Sequence, residues 1–199
     1  GANKINGALA NRFSHLHLEA DVNDWVNWGL SEGNIDSNVV AFIRYRPELL
    51  FDFDKDAVAW ASPRTWESVS DIVKADQKGL MQNSQDQALI GGTVGEGTAI
   101  EFCAFMGMVN SLPDVSEILK NPEGYPVSDD PSVLYALTGA LARRATASNF
   151  ADVITYVTRE EMSKEFAVIT VKDAITTSPK LAKTKTYIDF MSEYKDIMS

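Results

Sequence analysis

The chain has 199 residues, of which 45% are hydrophobic, and this is enough for a sizeable core in one or two domains. Its formal net charge of -10 argues against a general nucleic-acid binder and against a protein of anionic membrane surfaces. The single cysteine, Cys103, can form no internal disulfide, which favours a reducing, cytoplasmic setting. We expect neither a membrane span nor a signal peptide, because no apolar run approaches the ~20 residues that a span needs.

The N-terminal segment combines a short helix with a short strand. Ala8–Phe13 fits a helix that ends near Arg12, and Ser14–Glu19 alternates polar and apolar side chains as a strand does. His15 and His17 would share one face of that strand. Because no third ligand is evident nearby, we expect no metal site here.

Two further helices precede residue 50. Asp21 is a plausible N-cap for the first, and Asp36 or Ser37 for the second, which Pro47 ends or restarts. The acidic turn Asp52–Asp56 lacks the glycine and the terminal glutamate of a calcium loop. We therefore expect a solvated connection at this turn.

The stretch Ser62-Pro63-Arg64 begins a helix that we expect to run to about Asp76. Ser62 is a suitable N-cap, and Pro63 fits the first helical position, where its missing N–H costs nothing. Arg64 adds a cation to a helix end that is already positive, so this end would be a good binding site for a phosphate. The alternative is a capped helix whose arginine simply points to solvent.

A glycine-rich segment, Gly91–Gly97 (GGTVGEG), follows the polar stretch Gln77–Asn83 and a helix predicted to begin near Ser84. It is superficially like a phosphate loop. However, no Lys-Ser or Lys-Thr follows it and no strand precedes it, so neither the P-loop nor the dinucleotide fingerprint applies. Close packing between helices explains the glycines better.

The remainder of the chain predicts helix after helix. Thr98–Asn110 is strongly apolar, Asp114 can cap a short helix, and Asn121–Pro131 is a loop with three prolines that Tyr125 and Val127 fasten to a core. Apolar residues at helical spacing predict four more helices, around Leu137, Val153, Ile169 and Ile188. The arginines Arg143, Arg144 and Arg159 are scattered, which is typical of solvated faces.

Five segments, taken in their order, carry a resemblance: ALANRFSHLHLE (8–19), DWVNWGL (24–30), VVAFIRYRPELLFDF (39–53), ASPRTWESVS (61–70) and GGTVGEGTAIEFCAF (91–105). With the loop at 121–131 and the later helices, they resemble the C-terminal part of a MoxR-like AAA+ ATPase. The expected fold is mainly α, with a helical-bundle lid domain, a C-terminal helical domain and at most a short strand near the N-terminus. Residues 1–19 would be the tail end of the AAA+ core, 20–120 the helical lid region and 121–199 the C-terminal helical region.

The resemblance implies roles for two arginines. Arg12 occupies the place of the arginine finger, which acts in trans on a neighbour's γ-phosphate, although Asn11 stands where relatives often have Asp. Arg64 matches the sensor 2 arginine, which touches the nucleotide of its own subunit, with Ser62 and Pro63 beside it. The alternative for Arg12 is a surface arginine at a helix end.

The resemblance also implies partners and cofactors. The full-length protein would bind ATP and Mg²⁺, form a homo-oligomeric ring and remodel an unknown client protein as a chaperone-like hydrolase, without nucleic acid or membrane. The sequence holds no G-x-x-x-x-G-K-[ST] and no apolar strand ending in paired acids before Arg12. We therefore expect a fragment that needs an upstream AAA+ core domain, is inactive by itself and carries no bound cofactor.

Two other functions stay open. One is a free-standing all-helical protein-interaction module without nucleotide chemistry, which would dock through exposed tryptophans. Most of the four tryptophans are nevertheless expected in the core: Trp25, Trp28, Trp60 and Trp66. The other is an enzyme using acidic side chains. It has little support, because adjacent residues on a helix, such as Glu160 and Glu161, do not converge on one substrate atom.

Overall fold

The computed structural model describes residues 6–16, 18–75 and 84–198, and in this part of the chain every regular element is a helix. The mainly α fold expected from the sequence is confirmed, while His17 and the polar stretch Gln77–Asn83 lie outside the described residues. Two 3-10 turns, Pro47–Leu50 and Pro179–Lys183, interrupt the series of α-helices. The α-helices are α1 (Gly7–Ala10), α2 (Val22–Ser31), α3 (Ser37–Tyr45), α4 (Pro63–Ala75), α5 (Ser84–Val94), α6 (Glu96–Val109), α7 (Val115–Lys120), α8 (Pro131–Arg144), α9 (Phe150–Val157), α10 (Lys164–Thr177) and α11 (Lys185–Met198).

Aspartate caps begin three of these helices where the sequence predicts them. The carboxylate of Asp21 accepts the Asp24 N–H at 2.8 Å, and that of Asp114 accepts the Ser116 N–H at 2.9 Å. At the second predicted helix the cap is Asp36 rather than Ser37, since its carboxylate accepts the Asn38 N–H at 2.8 Å. Each cap satisfies a backbone donor that has no partner inside its own helix.

The strand predicted at Ser14–Glu19 is wrong for this structure. Every described position of the segment, 14–16 and 18–19, is irregular, and the only β-type pairing among the described residues is an isolated bridge between Asp52 and Ala61. A strand needs a neighbouring backbone to satisfy its N–H and C=O groups, and alternation in sequence does not supply one. Leu16 and Leu18 are 86% and 92% exposed, so no core face holds the segment either.

The buried apolar side chains form two clusters. The first is built by α2 to α6 around Phe42, whose ring centroid lies 5.2 Å from that of Phe102 and 5.4 Å from that of Phe105. The second is built by α7 to α11 and includes Leu141 and Tyr156, with Tyr125 and Val127 of the 121–131 loop packed against it as predicted. Helices α3 and α8 pack together between the two clusters.

A buried ion pair connects the two clusters. Arg44 of α3 donates through both terminal nitrogens to Asp173 of α10, with 2.7 Å between Nη2 and Oδ1. Their side chains are only 15% and 6% exposed. Two parallel hydrogen bonds fix the relative orientation of the two helices more closely than apolar packing alone does. None of the helices in the described residues has the length and hydropathy that crossing a bilayer requires.

We expect Asp173→Asn to destabilise the fold by ~3–5 kcal/mol, because the change leaves the Arg44 guanidinium buried without its counter-charge. Urea unfolding followed by circular dichroism measures the loss. Glu117→Ala is the matched control, since it breaks the exposed Lys120–Glu117 pair and should cost less than about 1 kcal/mol. Equal losses in the two variants would contradict the structural importance of the buried pair.

Candidate functional site

The start of α4 is closed by a reciprocal cap between Ser62 and Thr65. The Thr65 N–H donates to Ser62 Oγ at 3.2 Å, and the Ser62 N–H donates to Thr65 Oγ1 at 2.8 Å. The first helical hydrogen bond runs from the Trp66 N–H to the Ser62 carbonyl at 3.0 Å. This is a capping box with threonine in the place of the usual glutamate. Both predictions, Ser62 as N-cap and Pro63 as the first helical residue, are confirmed.

Trp66 anchors this first turn from the inside. Its side chain is completely buried, and its indole N–H donates to the Leu49 carbonyl at 2.7 Å. Its ring lies 5.5 Å from the rings of both Phe42 and Phe102. The helix start is therefore attached to the 3-10 turn Pro47–Leu50 and to the first aromatic core at once.

Arg64 faces solvent on the opposite side of the same turn. Residues two apart on an α-helix are separated by about 200°, so an inward Trp66 directs Arg64 outward. The Arg64 side chain is exposed, and it forms no ion pair or hydrogen bond with any residue that the structure describes. Its guanidinium is thus available to an anion from outside the described residues.

An apolar hollow of about 540 Å³ lies beside this helix start. It is bounded by Leu18, Glu19 and Ala20, by the 3-10 turn with Phe51, and by Pro63. Glu48 on its wall is paired with Arg46, whose Nε donates to it at 2.6 Å. This hydrogen bond raises the pKa of Arg46 and lowers that of Glu48. Arg46 also pairs with Glu101.

Arg12 lies in the turn that follows α1 and is exposed. The side chains that follow it, Phe13, Leu16 and Leu18, are exposed as well. No described contact joins Arg12 to Arg64. Leu18, Glu19 and Ala20 line the hollow beside Pro63, whereas neither Arg12 nor Arg64 is part of its lining.

The glycine-rich segment is not a phosphate loop. Gly91 and Gly92 lie inside α5, Gly97 lies inside α6, and Gly95 joins the two helices with φ of +93°. Gly91 does face a neighbouring helix, but an added Cβ would lie 3.7 Å from the Cβ of Ala99, which is an ordinary van der Waals contact. Close helix packing does not explain Gly92 and Gly97, where an added Cβ would meet nothing within 4 Å.

Reasoning from the sequence misplaced one arginine and missed another. Arg159 was expected on a solvated face, but it is only 17% exposed and donates to the Tyr125 carbonyl and, at 2.8 Å, to Glu161. It thereby holds the 121–131 loop. The Arg44–Asp173 pair carries no local signal, because its members are 129 positions apart in the chain.

The structure does not bring Cys103 or His15 into a cluster of metal-binding side chains among the described residues. Cys103 is half-buried, and burial raises the pKa of its thiol, so little thiolate is present at neutral pH. In the part of the chain that the structure describes, no group of three or more His, Cys, Asp or Glu side chains is arranged to hold a metal ion. The imidazole of His15 hydrogen-bonds the Ala10 carbonyl at 2.9 Å.

The chain matches no protein-family model, no curated protein and no solved structure.

We expect Ser62→Ala to destabilise the fold by about 1 kcal/mol, because it removes the acceptor that satisfies the Thr65 N–H. Chemical unfolding of the 199-residue chain measures this loss. Ser68→Ala is the matched control, since Ser68 is exposed in the middle of the same helix and alanine is the better helix former there. A Ser62→Ala variant as stable as Ser68→Ala would mean that the cap does not hold the helix start.

Proposed function

We propose that this chain is the lid portion of a cytoplasmic, MoxR-like AAA+ ATPase that remodels a client protein. The observation that carries the proposal is the exposed, unpaired guanidinium of Arg64 on a rigidly fixed helix start. By comparison, the exposed Arg144 is paired with a carboxylate of its own chain, that of Asp114, at 3.0 Å. At the N-terminus of α4, by contrast, the helix dipole and the arginine both favour an anion.

Arg64 is the proposed sensor 2 residue. It would donate to phosphate oxygens of the ATP held by its own subunit, with Ser62 and Pro63 setting the position of the turn. Because Trp66 locks this turn to the core, a change in the phosphates would be transmitted to the whole lid rather than absorbed by a loose side chain.

Arg12 is the proposed arginine finger, acting in trans within a homo-oligomeric ring. Its guanidinium would offset the negative charge that develops on a neighbour's γ-phosphate during hydrolysis. The exposed side chains of Phe13, Leu16 and Leu18 support a partner surface that covers this segment, since several large apolar residues exposed close together in a chain are typical of an interaction site.

The remaining parts of the catalytic centre belong to a core domain in this proposal. The chain has neither a Walker A motif nor a strand with paired acids before Arg12, so the phosphate cradle and the Mg²⁺ ligands must come from an upstream AAA+ core. The chain alone would not hydrolyse ATP. The hollow beside Pro63 and Leu18 is the surface on which this core would rest.

The alternative, a helical interaction module without nucleotide chemistry, has less support from the tryptophans. Trp25 and Trp66 are buried in the first core, and Trp60 is only partly accessible. All four tryptophans lie in the described residues, and of these only Trp28 is exposed. A docking face made of tryptophans is therefore not present.

We expect Arg64→Ala in the full-length protein to lower the ATP turnover number by roughly 10²-fold, because one preorganised donor to the phosphates is lost. Arg12→Ala should lower it by roughly 10³-fold and leave ATP affinity nearly unchanged, because the finger acts on the transition state of a neighbouring subunit. Steady-state phosphate release measures turnover, and a fluorescent ATP analogue measures affinity.

Arg144→Ala is the control for both variants, since Arg144 is an exposed arginine paired with Asp114 outside the hollow, and its turnover should equal that of the wild type. If Arg64→Ala and Arg144→Ala turn over ATP equally fast, the sensor 2 role is excluded. A natural reading frame with no Walker A motif upstream of Ala2 would exclude the motor altogether and leave the interaction module.

A further inference from the structure

A wide groove lies on the other side of the loop that precedes α4. It has a volume of about 1040 Å³ and runs between this loop and the helices α5 and α6. Its floor includes the bare backbone of four glycines, and its walls carry apolar side chains such as Val58, Trp60 and Ile100. The four glycines are Gly91, Gly92, Gly95 and Gly97.

Gly95 is required by the fold of the chain itself. Its φ of +93° is one that other residues rarely adopt, and an added Cβ would lie 3.2 Å from the Ala59 carbonyl oxygen. The loop therefore passes so close to the junction of α5 and α6 that a side chain at position 95 would crowd it.

At Gly92 and Gly97, no close contact within the chain requires glycine. Both are exposed, and an added Cβ at either position would meet nothing within 4 Å. A glycine inside a helix, as Gly92 is, costs about 1 kcal/mol relative to alanine. No described neighbour requires glycine at either position. The open space above these two glycines would allow the backbone of a second chain to come close.

The charged residues on the lining of the groove, among those that the structure describes, are all acidic: Asp52, Asp54, Glu96 and Glu101. Glu101 shares Arg46 with Glu48, whereas the other three carboxylates form no ion pair with a described residue. Lys55 is the only basic residue in the loop 51–60 and is not part of the lining. These carboxylates favour a ligand that brings positive charge.

The walls also expose apolar area that the chain leaves open. Val58 is fully accessible and Ile100 is 55% exposed. The ring of Trp60 packs edge-to-face against that of Phe53, with 5.0 Å between the ring centroids. Apolar surface next to uncompensated carboxylates matches the two faces of a basic amphipathic helix, which binds grooves through its apolar face.

We propose that this groove binds a lysine-bearing amphipathic helix of a partner protein. The small, apolar face of that helix lies on the glycine floor against Val58 and Ile100, and its ammonium groups pair with Asp52, Asp54 and Glu96. The inference goes beyond the nucleotide role and does not depend on it.

The test is isothermal titration calorimetry of the 199-residue chain with a synthetic helical peptide of about four turns. One face of the peptide carries alanine and leucine and the other carries lysine; a partner peptide has glutamate in place of each lysine. The lysine peptide should bind, with an affinity that falls as salt is added, and the glutamate peptide should bind at least about tenfold more weakly.

Gly92→Leu should weaken binding of the lysine peptide at least about tenfold, because its side chain fills the groove. The melting temperature should not fall, since the site is open and leucine is the better helix former. Gly107→Leu is the matched control: Gly107 is a helical glycine of α6 with nothing within 4 Å of an added Cβ, and it is not part of the lining. Its binding should equal that of the wild type, while Glu96→Gln should bind several-fold more weakly.

Three results would overturn the proposal. The first is equal affinity, or no affinity, for the lysine and glutamate peptides. The second is wild-type binding by a folded Gly92→Leu variant. The third is a wild-type dimer that Gly92→Leu converts to a monomer in sedimentation experiments, because the occupant would then be a second copy of this chain.

Discussion

The hydrogen bond from the Trp66 indole to the Leu49 carbonyl is the constraint on which both candidate surfaces depend. It attaches the first turn of α4 to the 3-10 turn Pro47–Leu50, and the loop between them is closed by the cap of Ser62. The hollow lies on one side of this junction, where Pro63 and Leu50 line it, and the groove lies on the other, where Leu49 and Trp60 line it. A buried tryptophan therefore sets the geometry of two exposed sites.

The two helical clusters are held together by polar as well as apolar contacts. The Arg44–Asp173 pair spans them, and α8 approaches α3 so closely that a Cβ on Gly139 would lie 3.5 Å from the Ser37 carbonyl oxygen. A buried pair with two hydrogen bonds resists reorientation of the helices that carry it. In the proposed motor, this connection would let a displacement at Arg64 carry the C-terminal helices with it.

The parts of the structure that the sequence predicted are those encoded locally. Asp21, Ser62 and Asp114 begin helices because each cap acts within three residues of its own position. The strand at Ser14–Glu19 was wrong because strands depend on a neighbouring backbone, which sequence alternation does not reveal. The same limit applies to the pairing of Asp173, to the burial of Arg159 and to the hollow, because each depends on segments that are distant in the chain. The hollow is formed by three such segments. The sequence left two alternatives open for Arg64, a phosphate ligand or an arginine that points to solvent. The outward direction of its side chain follows from the burial of Trp66, which the sequence alone does not fix.

The most direct test of the proposed motor is a structure of the full-length protein with Mg²⁺ and a non-hydrolysable ATP analogue. The account predicts the Arg64 guanidinium at hydrogen-bonding distance, roughly 2.7–2.9 Å, from a phosphate oxygen of the nucleotide in its own subunit. A bound nucleotide with Arg64 turned to solvent or paired with a carboxylate, away from every phosphate, would contradict it.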